Sequence, residues 1–177
     1  YGEFLVLNII PEVDDVKTFA SQVYRTKTAM SYINCTDETE GGLDCSVQIK
    51  LNSSSDWTHL DGPTYQGDFW AVPFSPAADA ALGLYDLRMN FTDTDGAWSG
   101  WSVMSNFMNV VNNQPVIVDV QYSSPTVYRT RSVIISFNAS DPETPENEMS
   151  CSVEYRPAGG SWKLLDGCAY RGDHWEV

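Results

Sequence analysis

The sequence predicts an all-β protein, a tandem of β-sandwich units of about seven strands each. Three observations predict it: an internal repeat with a period near 105 residues, alternation of apolar and polar side chains with period two inside each copy, and Gly/Pro/Asn/Asp clusters between the apolar runs. No stretch sustains a helical period.

The repeat is anchored by Val23-Tyr24-Arg25-Thr26, which recurs as Val127-Tyr128-Arg129-Thr130. At the same offset of 104, Asn34 and Asp37 match Asn138 and Asp141. Cys45-Ser46-Val47 matches Cys151-Ser152-Val153 at 106, after a two-residue insertion in an acidic loop. At 105, Trp57, Leu60-Asp61-Gly62, Tyr65, Gly67-Asp68 and Trp70 match Trp162, Leu165-Asp166-Gly167, Tyr170, Gly172-Asp173 and Trp175. Such a period is too long for a solenoid repeat and suits domains of roughly 100 residues. The expected organisation is the last strand of a preceding repeat at 1–10, a complete repeat at 11–114 and the first part of the next at 115–177. The chain thus reads as a window on a longer protein, with short linkers stiffened by Pro11 and Pro115.

Composition sets the class. At 42% hydrophobic residues the chain has material for packed cores and is too apolar for disorder. With 24 acidic against 10 basic residues, the net charge of −14 opposes binding to nucleic acid or anionic membranes. No apolar run is long enough to span a bilayer, so no direct membrane insertion is expected of this segment.

Taken in order, residues 12–26 form a short first strand leading into Val23-Tyr24-Arg25. From Lys27 the period is two: Ala29, Ser31 and Ile33 face one side, as Val133, Ile135 and Phe137 do in the second copy, with Asn34 and Asn138 on the other side. An acidic loop follows in each copy. The next strand points Cys45, Val47 and Ile49 inward. Trp70 and Val72 share one parity, repeated by Trp175 and Val177, and are expected in the core. The clearest strand is 83–91, with Tyr85, Leu87, Met89 and Phe91 inward and Asp86, Arg88 and Asn90 outward. A tyrosine opening such a strand just after a glycine fits the tyrosine corner of immunoglobulin-like sandwiches. Asp93-Thr94-Asp95-Gly96 makes the next turn, and residues 98–111 return as the last strand.

Four cysteines fall two per repeat and allow three connectivities. Cys35 shares the inward parity of Ile33, and the hairpin turn at Pro157-Ala158-Gly159-Gly160 returns Cys168 to the level of Cys151. The expected bridges are Cys35–Cys45 and Cys151–Cys168, with free core thiols as the alternative. Zinc is disfavoured, because His59 and His174 supply one histidine per unit at unmatched positions.

Sequons occur at Asn34, Asn52, Asn90 and Asn138, three on outward strand positions and Asn52 in a turn; all are candidates for N-glycans. Acidic loop residues Asp93, Asp95, Asp141 and Glu143 are candidate calcium ligands, most naturally between units, since hard cations take carboxylate and carbonyl oxygens. The twelve-residue calcium-loop pattern is absent. Trp98-Ser99-Gly100-Trp101-Ser102 is similar to the Trp-Ser-x-Trp-Ser box of class I cytokine receptors, with Arg88 placed to stack on it as a cation–π partner. The paired amino-terminal cysteines of those receptors are missing. No nucleophile elbow, metalloprotease helix or phosphate-binding glycine loop is present, and the chain is not expected to be an enzyme.

The combination of Val-Tyr-Arg, Asn-x-(Ser/Thr) before an acidic loop, Val-Glu-Tyr-Arg-Pro at 153–157, Gly-Gly-Ser-Trp at 159–162, Gly-Leu-Tyr-Asp-Leu-Arg at 83–88, Thr-Asp-Thr-Asp-Gly at 92–96 and Val-Val-Asn-Asn-Gln-Pro at 110–115 resembles the tandem immunoglobulin-like (fibronectin III-like) repeats of large prokaryotic, especially archaeal, cell-surface proteins. The resemblance covers nearly the whole chain and implies an extracellular, structural or adhesive protein of a surface layer, fibre or appendage. Its partners would be other copies of itself or other surface proteins. The alternatives are a receptor ectodomain binding a protein ligand near the Trp98/Trp101 box, and an accessory module of a secreted hydrolase.

Overall fold

The computed structural model describes residues 8–38 and 42–177. The chain divides into two compact units, residues 1–112 and 113–177. Both are all-β; the sole helical element among the described residues is a 3₁₀ turn at Glu146–Glu148. The strand expected over residues 1–10 falls mostly outside the described residues, and residues 8–10 are not in a strand.

The first unit contains β1 (Glu12–Thr18), β2 (Gln22–Tyr24), β3 (Ala29–Thr36), β4 (Asp44–Leu51), β5 (Thr58–Leu60), β6 (Thr64–Tyr65), β7 (Trp70–Phe74), β8 (Gly83–Thr92) and β9 (Ser102–Val111). They form a four-stranded sheet in the order β1-β3-β7-β6 and a five-stranded sheet in the order β2-β9-β8-β4-β5. This is the strand arrangement of an immunoglobulin-like sandwich. The excess over seven strands comes from short segments: the chain of residues 12–26 breaks after Thr18 and crosses from one sheet to the other, so that β2 lies parallel to β9.

The period-two pattern converts directly into the core. Ile33, Val72 and Phe74 from one sheet and Val47, Leu87, Met89, Phe91, Met108 and Val110 from the other are buried together. At about 25 cal/mol per Å² of apolar area, this interleaved layer is the main favourable term in the stability of the unit. The Tyr85 hydroxyl donates to the carbonyl of Ala81 at 2.9 Å, closing a tyrosine corner at the start of β8. The motif Val23-Tyr24-Arg25 docks β2 on β9. Val23 is buried, the Arg25 N–H donates to the Val111 carbonyl at 3.0 Å, and the Arg25 guanidinium reaches the Ala80 carbonyl.

Asp86 and Asn90 lie on the outer face of β8 as their parity predicts, yet neither is open to solvent. Asp86 and Asn90 are only 6% and 9% exposed. Because β8 has neighbours on both sides, β4 and β9, side chains on its outer face are hemmed in. Asp86 is also satisfied there, taking Lys50 at 3.4 Å and the Asn106 N–H at 2.9 Å.

The second unit contains β10 (Val116–Tyr122), β11 (Ile135–Ser140), β12 (Val153–Tyr155), β13 (Lys163–Leu165), β14 (Ala169–Tyr170) and β15 (Trp175–Glu176). They pair as β10-β11-β15-β14 and as β12-β13. The registers repeat those of the first unit: Val13 faces Cys35 and Ile117 faces Ala139, Val47 faces Leu60 and Val153 faces Leu165, Ile33 faces Trp70 and Phe137 faces Trp175. Gly62 and Gly167, equivalent in sequence, share a φ of 90°, which a side chain would oppose. The exception is Val127-Tyr128-Arg129, which is not a strand. Its counterpart is ordered by β9, and residues 113–177 contain no sequence equivalent of β9.

Candidate functional site

The outer face of the five-stranded sheet carries a stack of three side chains. β8 supplies Arg88; the turn after β4 leads to Trp57, and Trp101 immediately precedes β9. The Arg88 guanidinium carbon lies 4.5 Å from the Trp57 ring centroid and 4.3 Å from that of Trp101. Gln48 on β4 fixes the guanidinium plane, its Oε1 accepting from Nε at 2.9 Å and from Nη2 at 2.5 Å. Lys50 Nζ adds a second cation 5.3 Å from the Trp57 centroid. Arg88 thus stacks on one tryptophan of the Trp-Ser-x-Trp-Ser stretch; Trp98 stands apart, 52% exposed. The sequence reading missed Trp57, Gln48 and Lys50 as its companions. A signal was present: Lys50 and Trp57 recur as Arg156 and Trp162, which form the same kind of pair at 5.1 Å in the second unit.

In the first unit the acidic loop after β3 gathers three carboxylates. Oxygens of Asp37, Glu38 and Asp93 lie within 4.8 Å of one another. They hold the entry segment: Asp93 Oδ2 accepts from Asn8 Nδ2 at 2.7 Å, and Glu38 Oε1 from the Ile9 N–H at 3.0 Å. The second unit repeats the tie, with the Asn113 N–H donating to Glu143 Oε1 at 3.2 Å. Asp141 Oδ1 there accepts the N–H groups of Glu143 and Thr144 at 2.9 and 2.8 Å. Burial works to raise the pKa of Asp141, and these N–H groups outweigh it, leaving the carboxyl below its ordinary value. Of the calcium ligands expected from sequence, Asp93 lies in the group of three carboxylates of the first unit. Asp93 joins Asp37 and Glu38, the carboxylates that would share a hard cation; Asp95 is exposed and outside the group, and Asp141 and Glu143 belong to the other unit's turn.

Cys151 and Cys168 are disulfide-bonded, with 5.9 Å between Cα atoms. The Cys35–Cys45 bridge is not formed; both are free thiols. They stand at the rim of the sandwich, Cys35 on β3 and Cys45 on β4. Burial, and beside Cys35 the charges of Asp14 and Asp37, push both thiols up to about 12.

The sequons separate. Asn52 and Asn138 are exposed and Asn34 is half-buried, whereas Asn90 is buried on the central strand, against the expectation that its side chain reaches solvent. Asn52 Nδ2 donates to Asn106 Oδ1 at 2.8 Å. The two histidines sit beside surface carboxylates: His59 is 3.9 Å from Asp61, and His174 Nδ1 is 2.6 Å from Asp173.

Comparison of the sequence with protein-family models and with curated proteins found no match. Among the described residues, no helix is long and apolar enough to cross a membrane.

Proposed function

We propose that this chain is a load-bearing portion of a non-enzymatic, extracellular structural or adhesive protein, one of a string of immunoglobulin-like units in a surface layer, fibre or appendage. The observation that carries the reading is the parallel pairing of β2 with β9: β9 is the last strand before one end of the first unit, and β2 is the second strand in from the other end, after β1. Tension applied to those ends pulls parallel neighbours past each other. The hydrogen bonds from Asn109 to Ser21 and from Arg25 to Val111, both 3.0 Å, are then loaded together in shear rather than opened singly. The carboxylate ties on the entry segments and the repeated Tyr–Trp and cation–π pairs fit a unit selected for rigidity. Immunogold labelling of intact source cells with antibodies raised against the chain tests the reading. A regular surface assembly decorated without permeabilisation is the expected result, and label confined to the cell interior overturns it.

A second reading, a receptor ectodomain, draws on the Trp101–Arg88 stack. It requires the Trp98/Trp101 box to occur in one unit only of the complete gene, next to a membrane span.

A further inference from the structure

The outer face of the four-stranded sheet holds an aromatic hollow that the scaffold reading does not use. Lys17 on β1 faces Tyr32 on β3 in register, and Tyr32 and Asn34 share that outer face. Phe19 and Phe69 meet Tyr32 from either side, edge to face, with centroids 5.3 and 4.8 Å away. Lys17, Phe19, Tyr32, Asn34 and Phe69 line a shallow concavity of about 410 Å³. Phe19 is 81% exposed, so its ring surface is accessible from this face.

We infer that the hollow seats the first sugar of a glycan attached to Asn34. Asn34-Cys35-Thr36 is a sequon, and Asn34 itself lines the hollow. A pyranose has an apolar face of polarised C–H groups that suits the negative face of an aromatic ring, and hydroxyls at its edge that suit an ammonium such as that of Lys17. Tethering through Asn34 makes the contact intramolecular, so weak stacking suffices. The second unit supplies the contrast. Its Asn138 lines a hollow of about 210 Å³ in which Gln121, Ser136 and His174 stand for Lys17, Tyr32 and Phe69, and Ser123 stands for Phe19. The wall there includes Phe137, but that ring is buried, and the set of three rings that lines the Asn34 hollow has no equivalent. Attachment requires a lipid-linked sugar phosphate as donor. The Asn34 Nδ2–C1 bond forms, the bond from C1 to phosphate oxygen breaks, the lipid phosphate leaves with its electron pair, and the amide proton goes to solvent.

The inference rests on the extracellular reading and is tested apart from it. The full chain is produced in an N-glycosylating secretory host, and site occupancy is read by glycopeptide mass spectrometry. Thermal unfolding is then compared for the glycosylated chain, the chain trimmed to its first sugars, Asn34→Gln and Asn138→Gln, each with and without Phe19→Ala. Sugar on Asn34 is expected, with Tm lowered by about 2–4 °C in Asn34→Gln and unchanged by trimming or by Asn138→Gln. Phe19→Ala removes this increment, so that Asn34→Gln no longer lowers Tm in the Phe19→Ala background, and with Phe19 present the first sugar's C–H protons shift upfield in NMR. An unmodified Asn34, or an attached sugar whose Tm increment and proton shifts are indifferent to Phe19→Ala, overturns the inference. The surface labelling of cells stands or falls independently.

Discussion

Tyr170 and Trp175 meet across the β14–β15 pair with ring centroids 5.6 Å apart and planes inclined at 51°. Tyr65 and Trp70 do so across β6–β7 at 5.5 Å and 46°. Each tyrosine hydroxyl donates to the carbonyl of the glycine two residues on, Gly172 and Gly67. A coincidence of letters would not reproduce register, ring geometry and turn closure together. The spacing of 105 residues therefore has structural content in these two units.

The Trp57–Arg88–Trp101 stack is expected to stabilise the first unit rather than serve a reaction. Arg88→Met keeps much of the aliphatic stem and removes the charge. It should destabilise by about 1–2 kcal/mol in urea unfolding. In a double-mutant cycle with Trp57→Leu, the two losses should be less than additive.

Tyr85→Phe deletes only the hydroxyl that closes the corner on Ala81. Loss of that bond should cost about 1 kcal/mol. Amide exchange at the β8 end of the first unit should accelerate, with the second unit unchanged.

The thiols give a pH test with a definite sign. Folding holds Cys35 and Cys45 protonated up to about 12, against an ordinary value of 9.0. Groups whose pKa is raised by folding contribute stability that is present below the unfolded value and lost as pH climbs through the folded one. Stability of the first unit should therefore fall between about pH 9 and pH 12, and the Cys35→Ala/Cys45→Ala pair should flatten that fall. At pH 8 the native chain should react with a thiol reagent far more slowly than the urea-unfolded chain, which should titrate two thiols.

The Cys151–Cys168 bridge closes a separation of 17 residues. Constraint of a loop of that size is worth about 3 kcal/mol in the chain-entropy account. The double serine variant should lose stability in the second unit by that order, and reduction of the wild-type chain should reproduce the loss.

Much of this architecture was legible because strand parity is a local property. Leu87, Met89 and Phe91 alternate along one strand, and burial followed. What parity does not encode is the lateral position of a strand: nothing within residues 83–92 says that β8 is central, so the outward parity of Asp86 and Asn90 does not reveal that they are buried there. Pairing across sheets is equally nonlocal. The inward parity of Cys35 and Cys45 places both at the rim of the core, but parity along single strands does not say whether two such neighbours are bonded. The aromatic hollow escaped for the same reason, since Phe19, Tyr32 and Phe69 are brought together by three separate segments.

Pulling the full chain by handles at Asn8 and Asn112 tests the load-bearing claim most directly. The shear arrangement of β2 and β9 predicts one abrupt event that releases about 35 nm of chain, at a force well above that needed when the same unit is pulled from β4 and β5, whose antiparallel bonds open one at a time. Gradual lengthening, or equal forces in the two geometries, would contradict it.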